Sequence, residues 1–421
     1  MMHEDQERVG SEEQIAQIKR LSSSSPTSRA ARARRREGTR LSKSSRWMRS
    51  SRAGRRSKRS RMTGKQRRGK ARRVRSRNRI PMNRGAVLPT GYGQLATAAG
   101  ERDGQRLAQE GYHPNELQRF SLQARQAFAH FVHTLSPGLS SYPMIPLLSD
   151  AYMQGLASAF HGQLPTLMLL PTTMKLSVVM CAMNEEGRIG SVLQEVNRLA
   201  LDEIYIVVNG STDRTLEEAR ISSPQATIVH YPERVGHDVG RSIGAKLTRS
   251  EAVLFVDSDI AVPAEQLGAF LWSIVQGVDV ALNDITPLLP PFDRQDSISY
   301  CKQWLNACLG RPDLESNSLT AVPHALSRQA IDRVGIEALS VPPRAQALAL
   351  LHGLRTETAA TIDVITHNQV KTTNSGANNQ VAQLILGDHL EAFHTIWSWK
   401  GNALNEPQHS RQHIAVRRNR E

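Results

Sequence analysis

Two aspartates, Asp257 and Asp259, close an apolar run in "LFVDSDIAVP" (254–263). Carboxylates at the end of a buried strand lose hydration, so a positive partner is expected to hold them. Residues i and i+2 of an extended segment point the same way. Both acids can then face one hard cation such as Mg2+ or Mn2+, or pair with a basic side chain. Three more polar clusters precede this one: "MNEEGRI" (183–189), "NGSTDRT" (209–215) and "RVGHDVGRSIGAK" (234–246). In the first, Asn184 suits a helix N-cap and the acids beside it suit a first turn. In the second, Gly210 suits a tight turn and Ser211 or Thr212 a cap. In the third, Gly236 allows close backbone approach to an anion at a helix start. Asp238 reads as that helix's N-cap, and Arg241 as a partner for phosphate or for an aspartate of the DSD loop. One Asp-x-Asp is expected by chance, on the order of once in a chain this long, so the order of the four clusters carries more than any one.

Each cluster follows an apolar run of strand length: "LSVVMCAM", "EIYIVV", "ATIVHY" and "AVLFV". Between them "RIGSVLQEV" places Ile189, Val192, Leu193 and Val196 at helical spacing, and "HDVGRSIGAKL" does the same for Val239, Ile243 and Leu247. Strands alternating with helices predict parallel βαβ units, an α/β fold with a mostly parallel sheet flanked by helices. Ligands of such sheets bind at the carboxyl ends of the strands, where all four clusters lie.

In that order the clusters resemble a family 2 glycosyltransferase with the nucleotide-diphosphosugar transferase (GT-A type) fold. The resemblance is close from Leu176 to Pro263 and looser to His367. It implies a metal-dependent transferase that binds a nucleotide-diphosphosugar donor with Mg2+ or Mn2+ and passes the sugar to an unidentified hydroxyl acceptor. Ala182, Asn184 and Glu185 would lie against the nucleotide base and ribose. Where the family usually carries two aspartates before Gly-Ser, this chain has Val208 and Asn209, so Asn209 is the candidate for the base edge. "GHDVGRSIGAK" resembles the family's Gly-x-x-x-Ala-Arg-Asn-x-Gly, with Gly240 for Ala and Ser242 for Asn; Gly236 and Arg241 are its donor-binding candidates. Asp257 would face ribose or metal, and Asp259 is the usual direct metal ligand. His367, expected at the end of a strand in "TIDVITHNQV" (361–370), resembles an extra metal ligand of some retaining members.

"SLTAVPHALSRQAIDRVG" (318–335) resembles the acceptor-side strand and helix, after which the family often shows a Glu-Asp pair that supplies a general base. Here the corresponding stretch carries Arg344 and Ala345. Three readings stay open: a base from Asp284, Asp313 or Glu315; a retaining enzyme that needs none; or a domain that binds without turnover.

Outside this region the sequence divides by composition. Residues 1–85 form an expected disordered Arg/Ser-rich arm, 86–174 a helical lead-in, 175–370 the transferase-like domain and 371–421 a helical tail. From Arg29 to Arg84 there are 25 Lys/Arg and one acid, Glu37. That local +24 exceeds the +15 of the whole chain, so everything else is net acidic at −9. A like-charge block of this kind suits nucleic acid or another polyanion. The alternative function is therefore an inactive transferase-like domain serving a polyanion-binding arm. The lead-in should pack through Phe120, Ala124, Phe128 and Phe131. The tail should pack on the domain or on a second copy, as a homodimer. Cys181, Cys301 and Cys308 are spaced neither for a metal box nor for a disulfide framework. With no apolar run long enough for a membrane span and no secretory leader pattern, the chain reads as cytoplasmic.

Overall fold

The apolar runs from Leu176 onward become strands, and the helical repeats between them become crossovers. A computed structural model describes residues 87–135, 141–161, 164–365 and 380–400. The basic segment 29–84, His367 and the basic residues after Lys400 lie outside them. Strands β1 (Leu176–Ala182), β2 (Glu203–Asn209), β3 (Thr227–Tyr231) and β4 (Ala252–Asp257) are followed by β5 (Val280–Asn283), β6 (His324–Ser327) and β7 (Thr356–Ala360). They form one seven-stranded sheet in the order β3-β2-β1-β4-β6-β5-β7. β6 runs antiparallel to β4 and β5, and the other pairings are parallel. The expected α/β class, with a mostly parallel sheet, is the observed one.

Eleven described α-helices accompany the sheet: α1 (Tyr92–Gln109), α2 (Leu117–His133), α3 (Ile145–Ser158), α4 (Ile189–Arg198), α5 (Thr215–Ser222), α6 (Val239–Leu247), α7 (Ala264–Val275), α8 (Ser297–Cys308), α9 (Arg328–Val334), α10 (Pro342–Leu351) and α11 (Gln380–Lys400). In α4 the spacing predicts the buried face correctly, since Ile189, Val192, Leu193 and Val196 are all buried. In α6 it does not. The buried positions there are Gly240, Gly244 and Ala245, while Leu247 is 40% exposed. The reason is close approach. A Cβ added at Gly240 would lie 2.6 Å from Cys181 Sγ, and one at Gly244 would run into both methyls of Val179. Two glycines four apart thus bring α6 onto β1 through its backbone, and apolar periodicity cannot see a face made of glycine.

Parallel pairing levels the strand ends. Cys181 stands opposite Asp257, Ala182 opposite Val208, and Asn209 opposite Tyr231. The loops that carry the polar clusters therefore leave the sheet side by side.

The lead-in shares the core of the sheet. Phe120, Ala124 and Phe128 join one apolar cluster with residues of α4, α7 and β1. The fully buried Arg125 of α2 pairs with Asp202 at 2.8 Å and donates to the carbonyls of Met174, at 3.2 Å, and Ala200. Residue 174 marks a change of sequence pattern, with the core continuous across it. Toward the other end, the expected strand in 361–370 stops early: β7 ends at Ala360, and 361–365 is irregular. Asn283 holds Ile362 there, accepting from its N–H at 2.8 Å and donating to its carbonyl at 3.1 Å. Helix α11 lies against α8 and α10, with Trp304 on Phe393 at 4.9 Å between ring centroids and Arg344 paired to Glu391 at 3.0 Å. No described helix is long and apolar enough to cross a membrane.

Candidate active site

Asp257 is the last residue of β4, and Asp259 follows one residue later in the loop. Neither has a hydrogen-bond or ion-pair partner among the described residues. Ser258 between them is buried and donates to the Cys181 carbonyl at 2.9 Å, which ties the loop to β1. Solvent reaches the Asp257 carboxylate, yet the surrounding walls strip enough water to push its pKa up to about 6. Arg241 opposes that rise; Asp259 and Asp238 add to it. The arginine is itself engaged elsewhere, paired with Asp238 at 3.1 Å and donating to the Leu319 carbonyl at 3.1 Å. The pairing of Arg241 with an aspartate of the DSD loop, one of the two expectations, is replaced by this contact within its own helix turn. Asp238 does stand at the N-cap position of α6, but its side chain makes no capping hydrogen bond.

A cleft of about 300 Å3 opens above these strand ends. Its walls include Ala182, Glu185, Asn209, Gly236, Arg241, Asp257 and Asp259. Asn209 accepts from the Val235 N–H at 2.9 Å and donates to the Gly236 carbonyl at 2.7 Å. Its carboxamide therefore holds the glycine loop in place. Gly236 has φ 133°, and a Cβ there would collide with Val239. Glu185 is buried, pairs with Arg188 at 3.2 Å and donates its N–H to Thr215 Oγ1 at 2.8 Å.

Asn184 does not line the cleft. With φ 56° it accepts from the Thr212 N–H at 2.8 Å, and its own N–H donates to Ser211 Oγ at 3.1 Å. The capping roles read for Asn184, Ser211 and Thr212 are thereby corrected: α4 starts only at Ile189 and α5 only at Thr215, and these three residues tie two adjacent loops together instead. Asp284, Asp313 and Glu315 line neither this cleft nor the smaller cavity beside it. Asp284 is buried and accepts from Asn317 at 3.0 Å. Asp313 is chelated by Arg311, which holds its carboxyl below the usual range. Glu315 is exposed, with φ 47°.

Residues that the sequence did not single out complete the walls. Arg234, His237 and Thr320 line the cleft, and so do Val381 and Ile385 from the first turns of α11. Val381 and Ile385 lie over a hundred residues beyond the last polar cluster, so no local pattern points to them. His324 sits beneath, stacked on Phe255 at 5.2 Å. Burial and the nearby Arg241 lower its pKa to about 3, against a hydrogen bond to the Ala321 carbonyl. Burial likewise pushes the Cys181 thiol up to about 12, leaving it a poor nucleophile.

Among the described residues no three His, Cys, Asp or Glu side chains gather as a metal cage. Two partnerless carboxylates still fit a hard cation such as Mg2+, which typically takes one or two protein carboxylates and fills its other positions with water and phosphate oxygens.

Residues 177–286 match the model of glycosyl transferase family 2. A dolichyl-phosphate hexose transferase of Haloferax volcanii is 34% identical over 132 residues, 30% of this chain and 57% of that protein. A glucosyl-3-phosphoglycerate synthase of Mycolicibacterium paratuberculosis is 36% identical over 98 residues, 21% of this chain and 29% of the relative. The chain thus spans little more than half the length of the first relative and under a third of the second. Among solved structures, the glucosyl-3-phosphoglycerate synthase of Mycobacterium tuberculosis with Mn2+, uridine diphosphate and glucosyl-3-phosphoglycerate aligns with TM-score 0.38 and 20% identity, over 54% of this chain and 81% of that one. The segment that matches the glycosyl transferase family 2 model thus holds nearly all of β1 to β5 and all four strand-end loops.

Proposed function

We propose that this chain is a metal-dependent glycosyltransferase that moves a sugar from a nucleotide-diphosphosugar to a hydroxyl acceptor. The observation that carries the reading is the pair Asp257 and Asp259, without a hydrogen-bond or ion-pair partner among the described residues, at the mouth of a polar cleft. These two carboxylates would hold Mg2+ or Mn2+, which screens the charge of the diphosphate as it leaves. Arg241, fixed by Asp238 and the Leu319 carbonyl, sets a second positive charge on the cleft wall. Asn209 shapes the glycine loop so that backbone can approach the nucleotide closely. The names of the two relatives, a hexose transferase and a glucosyl synthase, support a hexose as the transferred group.

Thermal unfolding of the full chain with UDP or GDP, with and without Mn2+, tests this. One of the two should raise Tm by about 5 °C or more at a hundredfold excess over Kd, and only with metal. Asp259→Ala should abolish that shift and lower transfer about 100-fold or more. No shift with either nucleotide, together with an inert Asp259→Ala, sinks the reading.

A further inference from the structure

Helix α11 carries two stripes of large or apolar residues where packing on the domain needs one. Ile385, His389, Ala392 and Ile396, spaced four, three and four apart, face inward toward the cleft and toward α8 and α10. Leu386, Leu390, Phe393 and Trp397 repeat that spacing one residue later, turned about 100° around the helix. This second stripe faces solvent: Leu390 is 71% exposed and Trp397 55%. It also continues beyond its own helix. Phe393 touches Trp304 of α8, Tyr300 lies one turn before Trp304, and Phe292 stands edge-on to Tyr300 at 4.9 Å between ring centroids. Trp304 is 63% exposed and Phe292 66%, so the two helices share one aromatic band on the surface.

Singly exposed apolar side chains are ordinary, but a joined band is not. At ~150–250 Å2 for a whole aromatic side chain, the exposed parts of Phe292, Trp304 and Trp397 amount to roughly 300–450 Å2. A stable homodimer needs about 800 Å2 from each partner, well beyond the band, and two chains of net charge +15 repel each other. Charge favours an anionic surface instead. Residues 400–421 continue directly from the band with five Lys/Arg against two acids, and 29–84 hold the larger excess. An apolar stripe together with basic segments holds a protein at an anionic bilayer more firmly than either does alone. Trp and Tyr suit the headgroup level, since each joins an apolar ring to a polar tip. We propose that the band on α8 and α11 docks on an anionic lipid bilayer. Helix α11 then lies in the headgroup layer, as no described helix is long and apolar enough to cross.

The test reads depth of insertion, because the basic arm would draw the chain to anionic vesicles with or without the band. The full chain carries Trp47→Phe, which removes the one aromatic residue of 29–84 that could report as tryptophan. It is mixed at physiological salt with phosphatidylcholine vesicles holding about one-quarter phosphatidylglycerol. Lipids brominated near the top of the acyl chains should quench its tryptophan emission. Leu390→Gln with Phe292→Gln removes no tryptophan and no charge. It should keep Tm, lose most of the quenching and lower partition into the vesicles about tenfold or more. Should that pair fold poorly, Leu390→Gln alone gives the same comparison. Vesicle binding without quenching marks electrostatic capture by the arm and overturns the proposal. Quenching that the substitutions leave unchanged overturns it too, because the inserted rings then lie elsewhere. A dimer seen by sedimentation velocity without lipid, and split by Leu390→Gln, assigns the band to a second copy and overturns it as well.

Discussion

His324 pairs across the strands with Phe255, two residues before Asp257, and its surroundings keep it neutral. Its folded pKa, about 3, is below the ordinary 6.5. Between those values the unfolded chain binds a proton that the folded one does not, so stability falls as pH drops through 6.5 and is unaffected above it. His324→Phe removes that proton while keeping the stack on Phe255. From pH 7 to pH 5 the variant should lose about 2 kcal/mol less stability than the unaltered protein, read from urea midpoints; parallel curves would refute the argument. At this scale the sequence is uneven as a guide. Asp257 and Asp259 are legible as cleft residues because they stand two apart where one apolar strand ends. Asn209 was legible as a cleft residue, but not in its task, since its partners Val235 and Gly236 come from the next crossover. Asn184 failed as a cap for a similar reason: the partners that fix it, Ser211 and Thr212, lie in another loop.

Among the elements, α6 bears most directly on the site, because it carries Arg241. Its seat on β1 depends on Gly240 and Gly244 having no side chains. Gly244→Ala should gain slightly in helix propensity, yet its methyl would press on Val179, and overpacking of this kind costs about 1–3 kcal/mol. Net destabilisation is expected in thermal unfolding, and Val179→Ala in the same chain should recover part of it by making room. If the two substitutions simply add, the contact is not what limits the helix. The strands and α4 could be read from apolar runs because burial writes itself into those residues. The face of α6 could not, and α11, legible as a helix packed on the domain, was not legible as a wall of the cleft, because Val381 and Ile385 take their meaning from loops far earlier in the chain.

For the whole molecule, charge is the feature most plainly written in the sequence. Residues 29–84 hold a net +24, and the remainder is net acidic. Deleting 29–84 should therefore abolish salt-sensitive retention on nucleic acid or heparin while leaving the UDP–Mn2+ shift in Tm. Retention that survives, or nucleotide binding that is lost, would contradict a separable arm. The lead-in was legible as helices and as a packing unit, but its depth of attachment was not, since Arg125 reaches carbonyls and an acid on the far side of residue 174. The wall that α11 adds to the cleft also has a consequence in time. A chain is made from its N-terminus, so the loops through Asp259 emerge first, and Ile385 follows about 125 residues later. At ~5–20 residues per second this is a gap of roughly 6–25 s, during which a nascent chain has its aspartates but not its finished pocket. That wall of the cleft is thereby left open until Ile385 has been made.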